Sequence, residues 1–200
     1  MERHSTFDIR HSNINEAIIC AGFGGQGVMV LGKFLATAGM KKDLNVTWFP
    51  SYGAEVRGGT AHSFVRISSE PIANPNVTLT GTAIIMNEPS LRKFEKNVEA
   101  GGLIILNTSM CDLSPARRDI EVVKAPLTDE AIALGNIKVA NMMAAGIYAA
   151  KKGMFDMDVM KEVIKEMAGK REGIISVNLK AIEKGIEIVG SSELGVRREG

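Results

Sequence analysis

Gly22-Phe-Gly24-Gly25-Gln26-Gly27 has the spacing of a G-x-G-x-x-G turn, whose chemistry is the holding of an anion. Gly22 permits a sharp turn, Gly24 and Gly25 let a ligand approach the backbone closely, and Gly27 lets the following helix pack near the strand. Exposed backbone N–H groups and the helix dipole then favour negative charge. The local charges agree: no acidic residue occurs from Ala17 through Lys42, while Lys33, Lys41 and Lys42 do. A hydrogen bond within its own turn is the plain reading of the Gln26 side chain. A turn that binds nothing is the plain alternative.

A second loop, Pro50-Ser-Tyr-Gly-Ala-Glu-Val-Arg-Gly-Gly-Thr60, carries the other groups able to act. Ser51 and Tyr52 offer hydroxyls, and Gly53, Gly58 and Gly59 allow left-handed backbone. Glu55 and Arg57 have opposite charges. They either pair within the loop or meet a ligand or partner, and the residues weigh both equally. Glu55 is the one candidate acid or base near the glycine turn. A dinucleotide fold places an acidic residue about 20 positions past its glycines to hold the ribose. Here that stretch reads Thr47-Trp-Phe-Pro50, which disfavours a self-contained NAD(P)-dependent enzyme.

The elements that must position these loops follow from periodicity. Glu16 to Ala21 reads as a buried strand, Gly27 to Met40 as a helix burying Val28, Leu31, Leu35 and Ala38, and Asn45 to Phe49 as a second strand. Together they form a βαβ unit, with the loop after Phe49 overhanging the same crevice as Gly22–Gly27. Further strands are expected at Thr60–Ile67, Thr82–Met86, Leu103–Leu106 and Ile120–Val123, with a short helix at Glu88–Val98. From Thr128 the pattern is helical: Val139–Ala150 is apolar nearly all round, and two amphipathic helices carry Met157, Met160, Ile164, Met167 and Ile175, Leu179, Ile182, Ile186. The fold class is therefore α/β: a mostly parallel sheet with helices on both faces, a Rossmann-like three-layer domain with C-terminal helices that form a lid or pack on a partner. The expected organisation is an N-terminal arm (1–15), one domain (16–190) and a frayed tail (191–200).

Composition narrows the function classes. Lys plus Arg number 24 and Asp plus Glu 23 in 200 residues, a net charge of +1, which argues against a nucleic-acid partner. Cys20 and Cys111 stand far apart and form no CxxC pair. Two thiols cannot supply the four that normally hold an iron–sulfur cluster. His4, His11 and His62 are scattered, so no metal site is expected. With neither a secretory apolar region nor a membrane-spanning run, a cytoplasmic protein is expected.

The two loops together are more specific than either alone. Gly22–Gly27 followed by Pro50–Thr60 resembles the gamma subunit of 2-oxoacid:ferredoxin oxidoreductases, and the likeness continues in Met86-Asn87, Gly101-Gly102-Leu-Ile and Gly135-Asn-Ile-Lys-Val-Ala-Asn141. It covers roughly Glu16 to Gly190. The Ser-Tyr-Gly-x-Glu-x-Arg-Gly-Gly-Thr form most resembles the 2-oxoglutarate type, with the 2-oxoisovalerate and pyruvate types as close neighbours. The indolepyruvate type usually differs in this loop. His62-Ser63 departs from the asparagine and cysteine of many members.

The resemblance implies a heterotetrameric complex that oxidatively decarboxylates a 2-oxoacid to the acyl-CoA and reduces ferredoxin. Thiamine diphosphate, magnesium and iron–sulfur clusters would sit on the alpha, beta and delta subunits, and the gamma chain would be catalytically silent alone. It also implies that Gly22, Gly24, Gly25, Gln26 and Gly27 approach the coenzyme A phosphates. Ser51, Tyr52, Glu55, Arg57, Gly58 and Gly59 would line that cleft or the alpha contact. A free-standing nucleotide-binding or regulatory module is the alternative of another class.

Overall fold

The computed structural model describes residues 13–51, 60–74 and 78–196. The unbroken apolar run Ile18-Ile-Cys-Ala21 is fully buried in strand β1 (Asn15–Phe23). A strand without polar alternation needs cover on both faces, and β1 has it because it lies inside a six-stranded sheet. The other strands are β2 (Asn45–Ser51), β3 (Thr60–Ser68), β4 (Thr80–Ile85), β5 (Val98–Asn107) and β6 (Glu121–Ala125), in the order β2-β3-β1-β4-β5-β6. β1, β4, β5 and β6 run parallel, whereas β3 is antiparallel to both its neighbours.

This arrangement corrects the simple βαβ expectation. Helix α1 (Val28–Lys41) does join β1 to β2, but β3 lies between the two strands. β3 pairs as a hairpin partner on both sides, with Ser51 and Ala21 both opposite His62. Both strands oppose β3, so they share a direction, and their carboxyl ends lie level on one edge of the sheet. The expected crevice survives for that reason.

Side-chain alternation divides the core into two layers. Ile18, Cys20, Ile84 and Ile105 face α1, α3 (Leu127–Ala133), α4 (Ala140–Lys152), α5 (Met157–Ala168) and α6 (Glu172–Val196). Ile19, Ala21, Ile85 and Ile104 face the opposite way, onto Leu91 and Phe94 of the short helix α2 (Glu88–Phe94). Helices thus cover both faces, unequally. Helix α4 is buried at every position from Ala140 to Ala149, as its all-round apolar sequence requires. Helix α6 continues through Ser191 to Val196, so the segment read as a frayed tail is helical to that point. Asn15, read as part of the N-terminal arm, already pairs with Ser68. No helix among the described residues is long and apolar enough to cross a membrane.

Asp156 anchors the α5 end of this layer. Its carboxylate accepts from the Val159 N–H at 2.9 Å and lies 3.4 Å from the Lys42 ammonium at the end of α1. The backbone hydrogen bond first, and Lys42 second, hold this carboxyl below its ordinary value of 3.8. The folded chain therefore protonates Asp156 less readily than the unfolded chain. The stabilisation is complete above the unfolded value and is lost as pH falls through the lowered folded value. Asp156→Asn, which keeps a capping oxygen without the charge, should flatten that part of the acid limb. Asp156→Ala should cost about 0.5–2 kcal/mol. Urea midpoints between about pH 3 and 6 test both, and identical acid limbs in wild type and Asp156→Asn would exclude the charge contribution.

Candidate functional site

β1 ends at Phe23, and the chain reverses so that the Gln26 N–H bonds the Phe23 carbonyl at 3.2 Å. Gly25 and Gly27 have φ of 96° and 74°, values that favour glycine. The glycines divide the work differently from the sequence expectation. Gly22 has no positive φ; a Cβ there would lie 2.6 Å from the Gln26 amide oxygen and 2.8 Å from the Met86 Cβ, so its role is close packing. Gly27 makes room for Asn141 of α4 rather than for the strand. A Cβ on Gly25 meets nothing within 4 Å, so the outer side of the turn is open.

Gln26 is turned inward. Its oxygen accepts from the Phe23 N–H at 2.7 Å and from the Asn87 amide at 3.3 Å, and its own amide donates to the Met86 carbonyl at 3.0 Å. The side chain therefore ties the turn to the end of β4, the internal one of its two sequence readings. What the turn offers outward is backbone. Helix α1 begins at Gly27 with no side-chain cap, leaving its first N–H groups free of intrahelical partners.

These groups open on a cleft of about 840 Å³. Gly24, Gly25, Gly27 and Ser51 lie on its walls, so the structure brings the end of β2 to the glycine turn. Tyr52, Glu55, Arg57, Gly58 and Gly59 lie outside the described residues. The cleft also carries three cations, Lys33 from α1, Lys138 from the turn before α4, and Arg171 between α5 and α6. No acidic side chain lines it among the described residues. The Arg171 guanidinium donates to the Ala168 carbonyl at 3.1 Å and the Met167 carbonyl at 3.4 Å, closing the end of α5. Met29, Met142, Ile164 and Met167 supply an apolar side. The cleft can grip an anionic group with N–H donors and cations while covering an apolar one.

Lys41 and Lys42 do not contribute. They sit at the far end of α1, paired with Glu162 and Glu166 at 2.8 and 3.0 Å and with Asp156 at 3.4 Å. Lys138, Arg171 and Asn141 received no role from sequence reasoning. Lys138 and Asn141 stand in the Gly135–Asn141 segment, whose likeness to the gamma subunits was the available signal. Arg171 had none.

Burial pushes the Cys20 thiol far above its ordinary range, away from the thiolate that binds metal, and Tyr148 is likewise raised by burial. Among the described residues no group of three or more His, Cys, Asp or Glu is placed to hold a metal ion. A second cavity of about 440 Å³, with Glu16, Arg66, Glu99 and Lys152 in its lining, contains the amino end of β1.

Comparison with known proteins identifies the family. Residues 17–188 match the family model described as pyruvate ferredoxin/flavodoxin oxidoreductase. The chain is 33% identical over 173 residues to the ketoisovalerate oxidoreductase subunit VorA of Methanothermobacter marburgensis, covering 84% of this chain and 35% of that one. It is 31% identical over 183 residues to the 2-oxoglutarate synthase subunit KorC of the same organism, covering 88% of this chain and 97% of that one. The chain thus spans about a third of the VorA length and nearly all of the KorC length.

Two solved structures share the fold. One is a keto/oxoacid ferredoxin oxidoreductase gamma subunit from Geobacter sulfurreducens, with a TM-score of 0.76 at 22% identity, over 88% of this chain and 99% of that one. The other is a 2-oxoglutarate:ferredoxin oxidoreductase from Magnetococcus marinus, solved with 2-oxoglutarate, coenzyme A and succinyl-CoA bound. Its TM-score is 0.81 at 24% identity, over 90% of this chain and 32% of that one. On the family match over residues 17–188 and the identity to KorC, the chain belongs to the pyruvate ferredoxin/flavodoxin oxidoreductase family.

Proposed function

We propose that this chain is the gamma-type component of a 2-oxoacid:ferredoxin oxidoreductase. The assembly oxidatively decarboxylates a 2-oxoacid, 2-oxoglutarate first among candidates, to the acyl-CoA and passes the electrons to ferredoxin. The 2-oxoglutarate assignment is supported by the loop from Ser51 to Thr60 and by the nearly end-to-end match to KorC; 2-oxoisovalerate, suggested by VorA, is the second candidate. In this reading the chain performs no redox step. Thiamine diphosphate, magnesium and iron–sulfur clusters belong to the alpha, beta and delta partners, and coenzyme A lies in the cleft of this chain.

One observation carries the reading. The left-handed glycine turn, the uncapped start of α1 and the three cations meet in one cleft without an opposing carboxylate among the described residues. Such a site suits phosphates, because N–H donors and the helix dipole act together on the same charge. The apolar side would cover the uncharged arm of coenzyme A. The chain's own contribution is to bind, orient and exclude water.

Gly25→Asp tests this in the assembled complex. The new side chain strains a backbone at φ 96° and places a carboxylate in open space where the phosphates would lie. The KM for coenzyme A should rise at least about tenfold, while that for the 2-oxoacid stays within about twofold. An unchanged coenzyme A KM removes the cleft from the reaction.

A further inference from the structure

The glycine turn and the cation-bearing turn before α4 lie far apart in sequence, yet they grip one cleft. Among the described residues, one side-chain hydrogen bond joins them. Asn141, buried in the first turn of α4, donates from its amide to the Gly27 carbonyl at 3.1 Å. Its oxygen accepts from the Met142 N–H at 2.8 Å, so the amide is held at both ends and its orientation is defined. The amide also fills the space that a Cβ on Gly27 would need, with its Cγ 3.0 Å from that position. Gly27 stands at φ 74° and ψ 21°, from which α1 starts, and a residue with a Cβ does not fit there.

Lys138 precedes Asn141 in the turn that leads into α4. Its backbone N–H donates to the Asn136 side chain at 3.0 Å, and the Val139 N–H bonds the Asn136 carbonyl at 3.1 Å. Asn141 therefore bridges the glycine turn and the backbone segment that carries Lys138. Gln26 pins the turn from the sheet, but its bonds reach only β1, Met86 and Asn87. Core packing of Val28 and Leu31 with Met142 and Met143 also joins α1 to α4, and Asn141 adds the hydrogen bond at the turn itself.

We propose that Asn141 is a positioning residue for anion binding, holding the glycine turn and Lys138 at the spacing one phosphate-bearing ligand requires. This rests on the coenzyme A reading above. Preorganisation of this kind acts on ligand affinity, because the cost of bringing the two walls together is already met in the free protein.

Two variants in the assembled complex separate positioning from packing. Asn141→Ala removes both hydrogen bonds without adding charge. Asn141→Asp is isosteric and keeps the acceptor for the Met142 N–H but loses the donor to Gly27. Asn141→Ala should raise the KM for coenzyme A by about tenfold and Asn141→Asp, whose charge also faces the cleft, by at least as much, leaving kcat at saturating coenzyme A and the KM for the 2-oxoacid within about twofold. Asn141→Asp behaving as wild type would mean that the residue serves only the start of α4, and would overturn the proposal. So would an unchanged coenzyme A KM in Asn141→Ala, or a variant that no longer folds into the complex, which would mark a core residue. Gly25→Asp distinguishes the two failures. If it raises the coenzyme A KM while the Asn141 variants do not, only the positioning role falls. If neither site changes it, the coenzyme A reading falls as well.

Discussion

Gly146→Ala should lower the thermal midpoint by about 10 °C. Helices α4 and α6 cross through glycines on both sides. A Cβ on Gly146 would overlap the Ile182 carbonyl oxygen and lie 2.9 Å from its carbon, and one on Gly185 would overlap the Met143 carbonyl and lie 3.0 Å from the Ile147 nitrogen. These are backbone atoms, so no rotamer change relieves the contact and the helices must separate. Because α4 is buried from Ala140 to Ala149, that separation opens the main core. The cost is about 3 kcal/mol or more. Gly190→Ala on the same α6 is the control: a Cβ there meets nothing within 4 Å, so the variant should gain up to about 1 kcal/mol from helix propensity. Thermal denaturation followed by circular dichroism compares them, and equal midpoints for the two variants would refute the close crossing.

On the proposed coenzyme A reading, the Lys33→Glu, Lys138→Glu double variant should weaken coenzyme A binding by at least about 100-fold without disturbing the fold. Both side chains are exposed, and neither ammonium has a hydrogen bond or ion pair with the described residues, so their removal breaks nothing internal. A charge-assisted hydrogen bond contributes about 1.5–3 kcal/mol, and each 1.4 kcal/mol is tenfold in affinity. Reversal adds repulsion to that loss. Raising the salt should weaken the wild type and change the variant little, because screening acts on the attraction that the variant lacks. Titration calorimetry of the assembled complex at two salt concentrations reads both effects. Binding within twofold of wild type would show that these cations face something other than the ligand. Arg171 is unsuited to the same test, since its guanidinium also closes the end of α5.

The candidate site was legible in part because its chemistry is local. Gly22–Gly27 reads as a turn between a strand and a helix from adjacent residues, and it is one. Roles within it were harder. Gly22 and Gly27 were read from the general pattern, but what each leaves room for, Gln26 and Met86 in one case and Asn141 in the other, comes from chain distant in sequence. Gln26 illustrates the same limit. The carbonyl of Met86 and the amide of Asn87, which lie against its side chain, come from chain distant in sequence.

Lys33, Lys41 and Lys42 were grouped by proximity in sequence, yet a helix rises about 1.5 Å per residue. Lys41 and Lys42 therefore lie a helix length away from the turn, where the acids of α5 and its cap neutralise them.

Periodicity determined the elements themselves: a buried β1, an amphipathic α1, an apolar α4 and a helical C-terminal half all follow from spacings that the backbone imposes on neighbouring residues. The tertiary structure alone decided how they combine. β3 was read as a strand, but its insertion between β1 and β2 depends on pairing energies between separate segments. So does the level alignment of Ser51 with Ala21 across His62. The cation set followed the same rule, because Lys138 and Arg171 reach the glycine turn only after α4, α5 and α6 have packed on the sheet. Local spacing specifies which face of an element is apolar, whereas the choice of which apolar faces meet belongs to the whole chain, and the cleft is made by that choice.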